Sequence, residues 1–197
     1  AALLAVLTVA TAGSALQQPG GTASSGESSY CAEMEKYARA HPQQVLDFSA
    51  QPQNRDPARD HWLPVNNEDD FRSKARNGDS TAEVIERNGN VVFARFTYQN
   101  QFGDSVEHAQ YCFRQDGSLA QLDSEFDSYH GNMKIVRGAT YSQEGRRLSH
   151  FTHSFDLSRG TPKPMPPDFW DLPAPVFLHT RDLPFAAYIP KAAPPPR

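Results

Sequence analysis

From residue 81 onward, apolar and polar side chains alternate along the chain. Between residues 29 and 49 apolar side chains recur every three to four positions instead. The two periods separate strands from helices. In the earlier stretch Tyr30, Met34, Tyr37 and Ala38 fall on one helical face, and Ser28 or Ser29 can cap its start. Pro42 ends this helix and is predicted to open a second short one carrying Val45, Leu46 and Phe48. Residues 50–65, "AQPQNRDPARDHWLPV", hold three prolines and read as a loop with one anchor, Trp62. In "NNEDDFRSKARNG" Asn67 can cap, acids sit in the first turn, bases come late and Gly78 stops the run. That order predicts a further helix.

The alternating region contains three hairpin signals, Asn88-Gly89, Asp116-Gly117 and Glu144-Gly145, spaced 28 residues apart. Asn-Gly and Asp-Gly suit the type I′ turn, whose two central residues take positive φ; Glu144 suits it less well. Two-residue turns set Ile85 opposite Val92, Tyr111 opposite Leu122, Phe113 opposite Ala120 and Tyr141 opposite Leu148. One face then collects Ile85, Val92, Ala94, Phe96, Tyr98, Ala109, Tyr111, Phe113, Ala120, Leu122, Phe126, Met133, Ile135, Tyr141 and Leu148. One-sided burial of this kind pins the register. Arg137 and His150 interrupt the face, and Phe151, Phe155 and Leu157 fall opposite, so a bulge near residue 150 is expected to restore the phase. The second face carries Val84, Val91, Phe93, Val106, Leu119 and Val136, so part of it is covered too. A meander of ten-residue strands gives the 28-residue spacing by geometry; internal duplication is the other reading.

The ends differ from the middle. "AALLAVLTVA" followed by "TAGSA" reads as the remnant of a signal peptide over residues 1–15, too short to span a bilayer. Residues 16–28 form a Gly/Ser-rich flexible spacer. An α+β domain occupies 29–160. Residues 161–197 hold 11 of the 16 prolines, yet also Phe169, Trp170, Phe177, Leu183, Phe185 and Tyr188. A disordered tail is poor in aromatic residues. Residues 161–190 are therefore expected to run extended over the domain, with 191–197 free. The fold class is α+β: short N-terminal helices packed on an antiparallel meander of about six strands, able to curl into a half-barrel, with an extended proline-rich C-terminus.

Composition narrows the function. A net charge of −4 with pI near 6.0 and no basic cluster excludes nonspecific nucleic-acid binding. In an exported chain the two cysteines, Cys31 and Cys112, are expected to pair. On the polar side of the middle hairpin His108 faces Glu125 and Gln110 faces Asp123. A histidine beside a carboxylate can act as an acid/base pair, but a solvated face with a cross-strand ion pair needs only the same residues. His150 and His153 point to opposite sides of a strand and cannot chelate together. The chain has no GxSxG elbow, HExxH pair or phosphate-cradling glycine loop. The expected function is an exported, non-catalytic module binding a partner protein, an envelope component or an apolar ligand, with no metal and no cofactor. Tyr98, Tyr111, Phe126 and Tyr141 are the candidate ligand contacts. A carrier requires an apolar cavity of roughly 300 Å³ or more. The alternatives are a small hydrolase or metal-dependent enzyme using His108, Glu125 and Asp123, and a structural protein that adds strands at a sheet edge.

Overall fold

The structure, a computed structural model, describes residues 25–51, 61–67, 69–70, 80–100, 102–167 and 173–189. The leader, most of the spacer and the last residues lie outside the described residues. Among the described residues, the helix α1 (Ser25–Ala40) precedes eight strands: β1 (Val45–Gln51), β2 (His61–Val65), β3 (Ser80–Arg87), β4 (Asn90–Gln99), β5 (Ser105–Phe113), β6 (Leu119–Ser128), β7 (Met133–Tyr141) and β8 (Arg147–Asp156). They form one antiparallel sheet in the order β2-β1-β3-β4-β5-β6-β7-β8, open at both edges.

Two of the eight strands replace expected helix and loop. After a 3₁₀ turn at Pro42–Gln44, Val45, Leu46 and Phe48 are in strand β1, not in a second helix. Leu46, Phe48 and Ala50 pack on one side of the sheet while Val45 packs on the other, which is the two-residue period of a strand. Trp62 is an anchor, but it sits on β2, paired to Ala50 across the sheet edge. At the expected third helix, Asn67 Oδ1 accepts the Asp70 N–H at 2.8 Å, a capping bond; residues 71–79 lie outside the described residues.

The three hairpins are present, but each carries one extra residue on its outgoing strand. Ile85 pairs with Phe93, Phe113 with Leu119 and Tyr141 with Arg147. Val92, Ala120 and Leu148 are the residues left over. These bulges are 28 residues apart, like the glycines before them. Asn88 and Gly89 have φ of 56° and 75°, as a type I′ turn requires. The other two turns are of another kind. In each, only the glycine is left-handed (Gly117 and Gly145, both φ 81°). The Gly117 N–H reaches Arg114 C=O at 2.9 Å, and the Gly145 N–H reaches Ser142 C=O at 3.0 Å. These are three-residue loops closed by a glycine bulge, so Asp116 and Glu144 never need positive φ.

The bulges change which side chains share a face. Ile85 and Val92 pack against α1, together with Phe93, Met34 and Ala38. Val84, Val91 and Leu119 lie in the core of the opposite side, where Ile85, Val92 and Ala120 were expected. Ala120 sits beside the disulfide and Leu148 is 53% exposed. The bulge at Leu148 lies near residue 150, as expected, but it does not restore the phase, and Phe151 and Phe155 stay on the helix side. At Gly138 the Phe151 ring lies where a side chain would be, and a Cβ there would clash with it.

The sheet therefore has two cores. On one side the segment 173–189 lies across β1–β6 as a strap. Phe177, Leu183 and Phe185 are buried there among Phe48, Trp62, Phe96, Tyr98, Tyr111 and Phe113. Backbone bonds fix its course, from Leu119 N–H to Leu178 C=O and from Thr180 N–H to Gly117 C=O, each 2.9 Å. On the other side α1 crosses the sheet, held by a disulfide between Cys31 and Cys112 with Cα atoms 5.6 Å apart. The Tyr30 hydroxyl adds a bond to Phe113 C=O at 3.0 Å. No helix among the described residues is long and apolar enough to cross a membrane.

Candidate functional site

The middle hairpin has the expected cross-strand pairs: His108 with Glu125, Gln110 with Asp123 and Cys112 with Gln121. Their side chains nevertheless bond elsewhere. His108 Nδ1 meets Thr97 Oγ1 at 3.1 Å. Glu125 takes the Lys134 ammonium. Asp123 accepts the Gln121 amide at 2.5 Å. The three candidates form a row of separate pairings rather than a hydrogen-bonded relay. No group of three His, Cys, Asp or Glu among the described residues is placed to hold a metal ion.

The four aromatic candidates lie on the strap side. Tyr98, Tyr111, Phe126 and Tyr141 are all buried. Tyr111 donates to Pro175 C=O at 2.7 Å and Phe177 packs on its ring. Strap residues share one buried cluster with Tyr98, Tyr111 and Tyr141, whereas Phe126 packs with Met133 and Ile135.

Beneath the strap lies a buried charge that apolar patterning passed over. Glu107 occupies the core phase of β5, two residues before Ala109 and four before Tyr111. Arg137, on the same face of β7, stands 3.5 Å away. Glu107 also accepts the Ala174 N–H at 3.0 Å. Burial pushes the Glu107 carboxyl up to about 7; the Arg137 charge, the Ser124 bond and the Ala174 bond oppose the shift. Extending the two-residue period of β5 and β7 through their charged positions locates this pair.

The sign of its effect on stability follows from linkage. Below the ordinary carboxylate range Glu107 is protonated whether the chain is folded or not. Between about 4.5 and 7 the folded chain holds a proton that the unfolded chain releases, so stability falls as pH rises through that window, by at most about 3 kcal/mol. Urea unfolding at several pH values should show this loss in the native chain and not in Glu107→Gln. Identical pH slopes in the two would refute the assignment.

Among the described residues, open space lies on the helix side. Paired residues on neighbouring strands place Asp47, Glu83, Arg95, Gln110 and Asp123 in one row across β1, β3, β4, β5 and β6. Helix α1 forms a wall above this row. Two clefts open along the join. The first, about 310 Å³, is lined by Ala38, Arg39, Pro42, Val45, Asp47, Glu83, Ile85, Phe93 and Arg95. The second, about 150 Å³, is lined by Cys31, Ala32, Glu35, Phe93, Gln110, Cys112, Gln121 and Asp123. Phe93 lines both and α1 borders both; together they are called the trough.

Charge in the trough is unevenly matched. Arg95 bonds Glu83 at 3.2 Å and lies over the Phe93 ring; Arg39 bonds Glu35 at 2.5 Å. Asp47 and Asp123 face no cation within ion-pair distance among the described residues. Burial raises the Asp47 carboxyl, and the Glu83 charge beside it raises it further. Burial also raises Asp123, with the Gln121 amide opposing and Glu35 adding. Of these trough residues only Asp123 was a sequence candidate. No family model, curated protein or solved structure matches the chain.

Proposed function

We propose that this chain is an exported, non-catalytic module that binds a partner protein through the trough between α1 and the sheet. The supporting observation is the contrast between the two faces: the chain's own strap covers much of the aromatic face, while the helix side keeps two clefts lined by apolar, polar and charged residues together. A charged, solvent-open trough suits a polypeptide better than an apolar ligand, whose site is enclosed and mostly apolar. The buried disulfide agrees with an oxidising compartment, as the expected leader does.

The test is site-specific photo-crosslinking in cells that export the chain. A benzoyl-phenylalanine at Ala32, on the trough rim, should give an adduct of defined mass. The same group at Val176, on the outer surface of the strap, should give none. Adducts from Val176 alone, or equally from both positions, would contradict this assignment of the binding face.

A further inference from the structure

The reading of the trough as a protein-binding site leaves open what kind of segment it accepts. We propose that the trough takes an extended polypeptide segment lying across the strands, with two cationic side chains about six residues apart, one received by Asp47 and the other by Asp123. The inference rests on that reading and adds the chemistry and spacing of the partner.

Three features carry it. First, the two clefts share Phe93 and run along one wall, so an occupant of one continues into the other. Second, each cleft holds one carboxylate with no cation within ion-pair distance among the described residues, whereas the other acids are paired: Glu83 with Arg95 and Glu35 with Arg39, both arginines also lining the first cleft. The unmatched charge is thus at the two ends, not spread along the rim. Third, Asp47 and Asp123 are separated by four strand-to-strand steps, β1-β3-β4-β5-β6. At about 4.8 Å per step this is roughly 19 Å. An extended chain advances about 3.3 Å per residue, so cations at positions i and i+6 match the span.

Between the ends, Ile85, Phe93, Ala38 and Pro42 offer apolar contact to intervening side chains, and the Gln110 and Gln121 amides can bond a peptide backbone. The smaller cleft is well below the usual size of a pocket that encloses a small molecule. Together the clefts are lined by residues from Asp47 to Asp123 along the row, a distance that a strand-like segment spans.

Two labelled heptapeptides of identical composition and capped ends test this: Lys-Val-Ser-Val-Ser-Val-Lys and Val-Ser-Lys-Lys-Val-Ser-Val. Fluorescence anisotropy with the whole chain should show the spaced peptide binding at least about tenfold tighter than the clustered one. Asp47→Asn and Asp123→Asn should each weaken the spaced peptide several-fold, and the double variant should lose the preference. Both substitutions are isosteric and remove a poorly matched charge, so the fold is expected to persist. Equal affinity for the two peptides, no binding of the spaced one, or an unchanged preference in the double variant overturns the proposal. If the Ala32 adduct persists while the spaced peptide fails, the charge pattern is wrong and the trough remains the binding site. If the adduct is absent as well, the trough itself is wrong.

Discussion

Phe185→Ala is expected to destabilise the chain by about 3–5 kcal/mol, the range for truncating a fully buried phenylalanine. Phe185 has no exposed surface. Its ring stacks on Phe48 with centroids 4.0 Å apart, lies 5.4 Å from Phe96 and meets Trp62 edge-on at 5.6 Å. Phe48 is on β1 and Trp62 on β2, the two strands at one edge of the sheet. The strap residue therefore joins that edge to the central strands, and truncation leaves a hole that three rings cannot close together. A shifted denaturant midpoint measures the loss. In a Trp170→Phe background Trp62 is the remaining tryptophan of the two in the chain, and its emission should shift to the red. The control is Tyr188→Ala, three residues on and 48% exposed, which should change stability by no more than about 0.5 kcal/mol. Equal effects at the two positions would show that the strap is not part of the core.

Replacing both cysteines by serine is expected to cost about 2–5 kcal/mol. The bridge spans 81 residues, and closing so long a loop in the unfolded chain is worth about 4–5 kcal/mol in the chain-entropy model. Its loss should be felt unevenly. Among the described residues α1 meets the sheet through few buried side chains, chiefly Met34 and Ala38 against Ile85, Val92 and Phe93. Without the bridge the helix is expected to detach before the sheet unfolds, with helical circular dichroism falling at lower denaturant than Trp62 emission. The trough would lose its wall at the same point. A single concerted transition of both signals, at the native midpoint, would contradict a clamping role for the disulfide.

The middle of the molecule was legible because β5 and β6 are long and alternate cleanly. Tyr111 opposite Leu122 and His108 opposite Glu125 follow from the chain and hold in the sheet. β1 and β2 were not legible. Val45, Leu46 and Phe48 fit one helical turn as well as a strand, and Trp62 stands among prolines. What decides is pairing: β1 bonds β3 on one side, a contact distant in sequence, and β2 on the other, across a connection rich in prolines and charges. The bulges at Val92, Ala120 and Leu148 were hidden for a similar reason. In the second and third hairpins a glycine marks the turn, but whether two or three residues form the loop is settled by how Arg114 and Ser142 bond across it; the Val92 bulge follows a two-residue turn. One extra residue then sends Ile85 to the helix side and Leu148 to solvent.

The trough was the least legible part. Its row runs Asp47, Glu83, Arg95, Gln110, Asp123, one residue from each of five strands. Seeing it requires knowing that β1, not β2, sits beside β3. The wall comes from a helix whose placement depends on the disulfide. Only Asp123 could be singled out beforehand, and it was read with His108 and Glu125, whose side chains bond Thr97 and Lys134 instead.

The most direct measurement for the division of labour between the faces is an amide chemical-shift map of the labelled chain titrated with the spaced heptapeptide. Shifts are expected in α1 and in the row from Asp47 to Asp123, with the strap from Ala174 to Phe185 unmoved. Shifts concentrated in the strap, with the trough silent, would mean that ligand enters the aromatic face by displacing the chain's own tail, and would contradict the account.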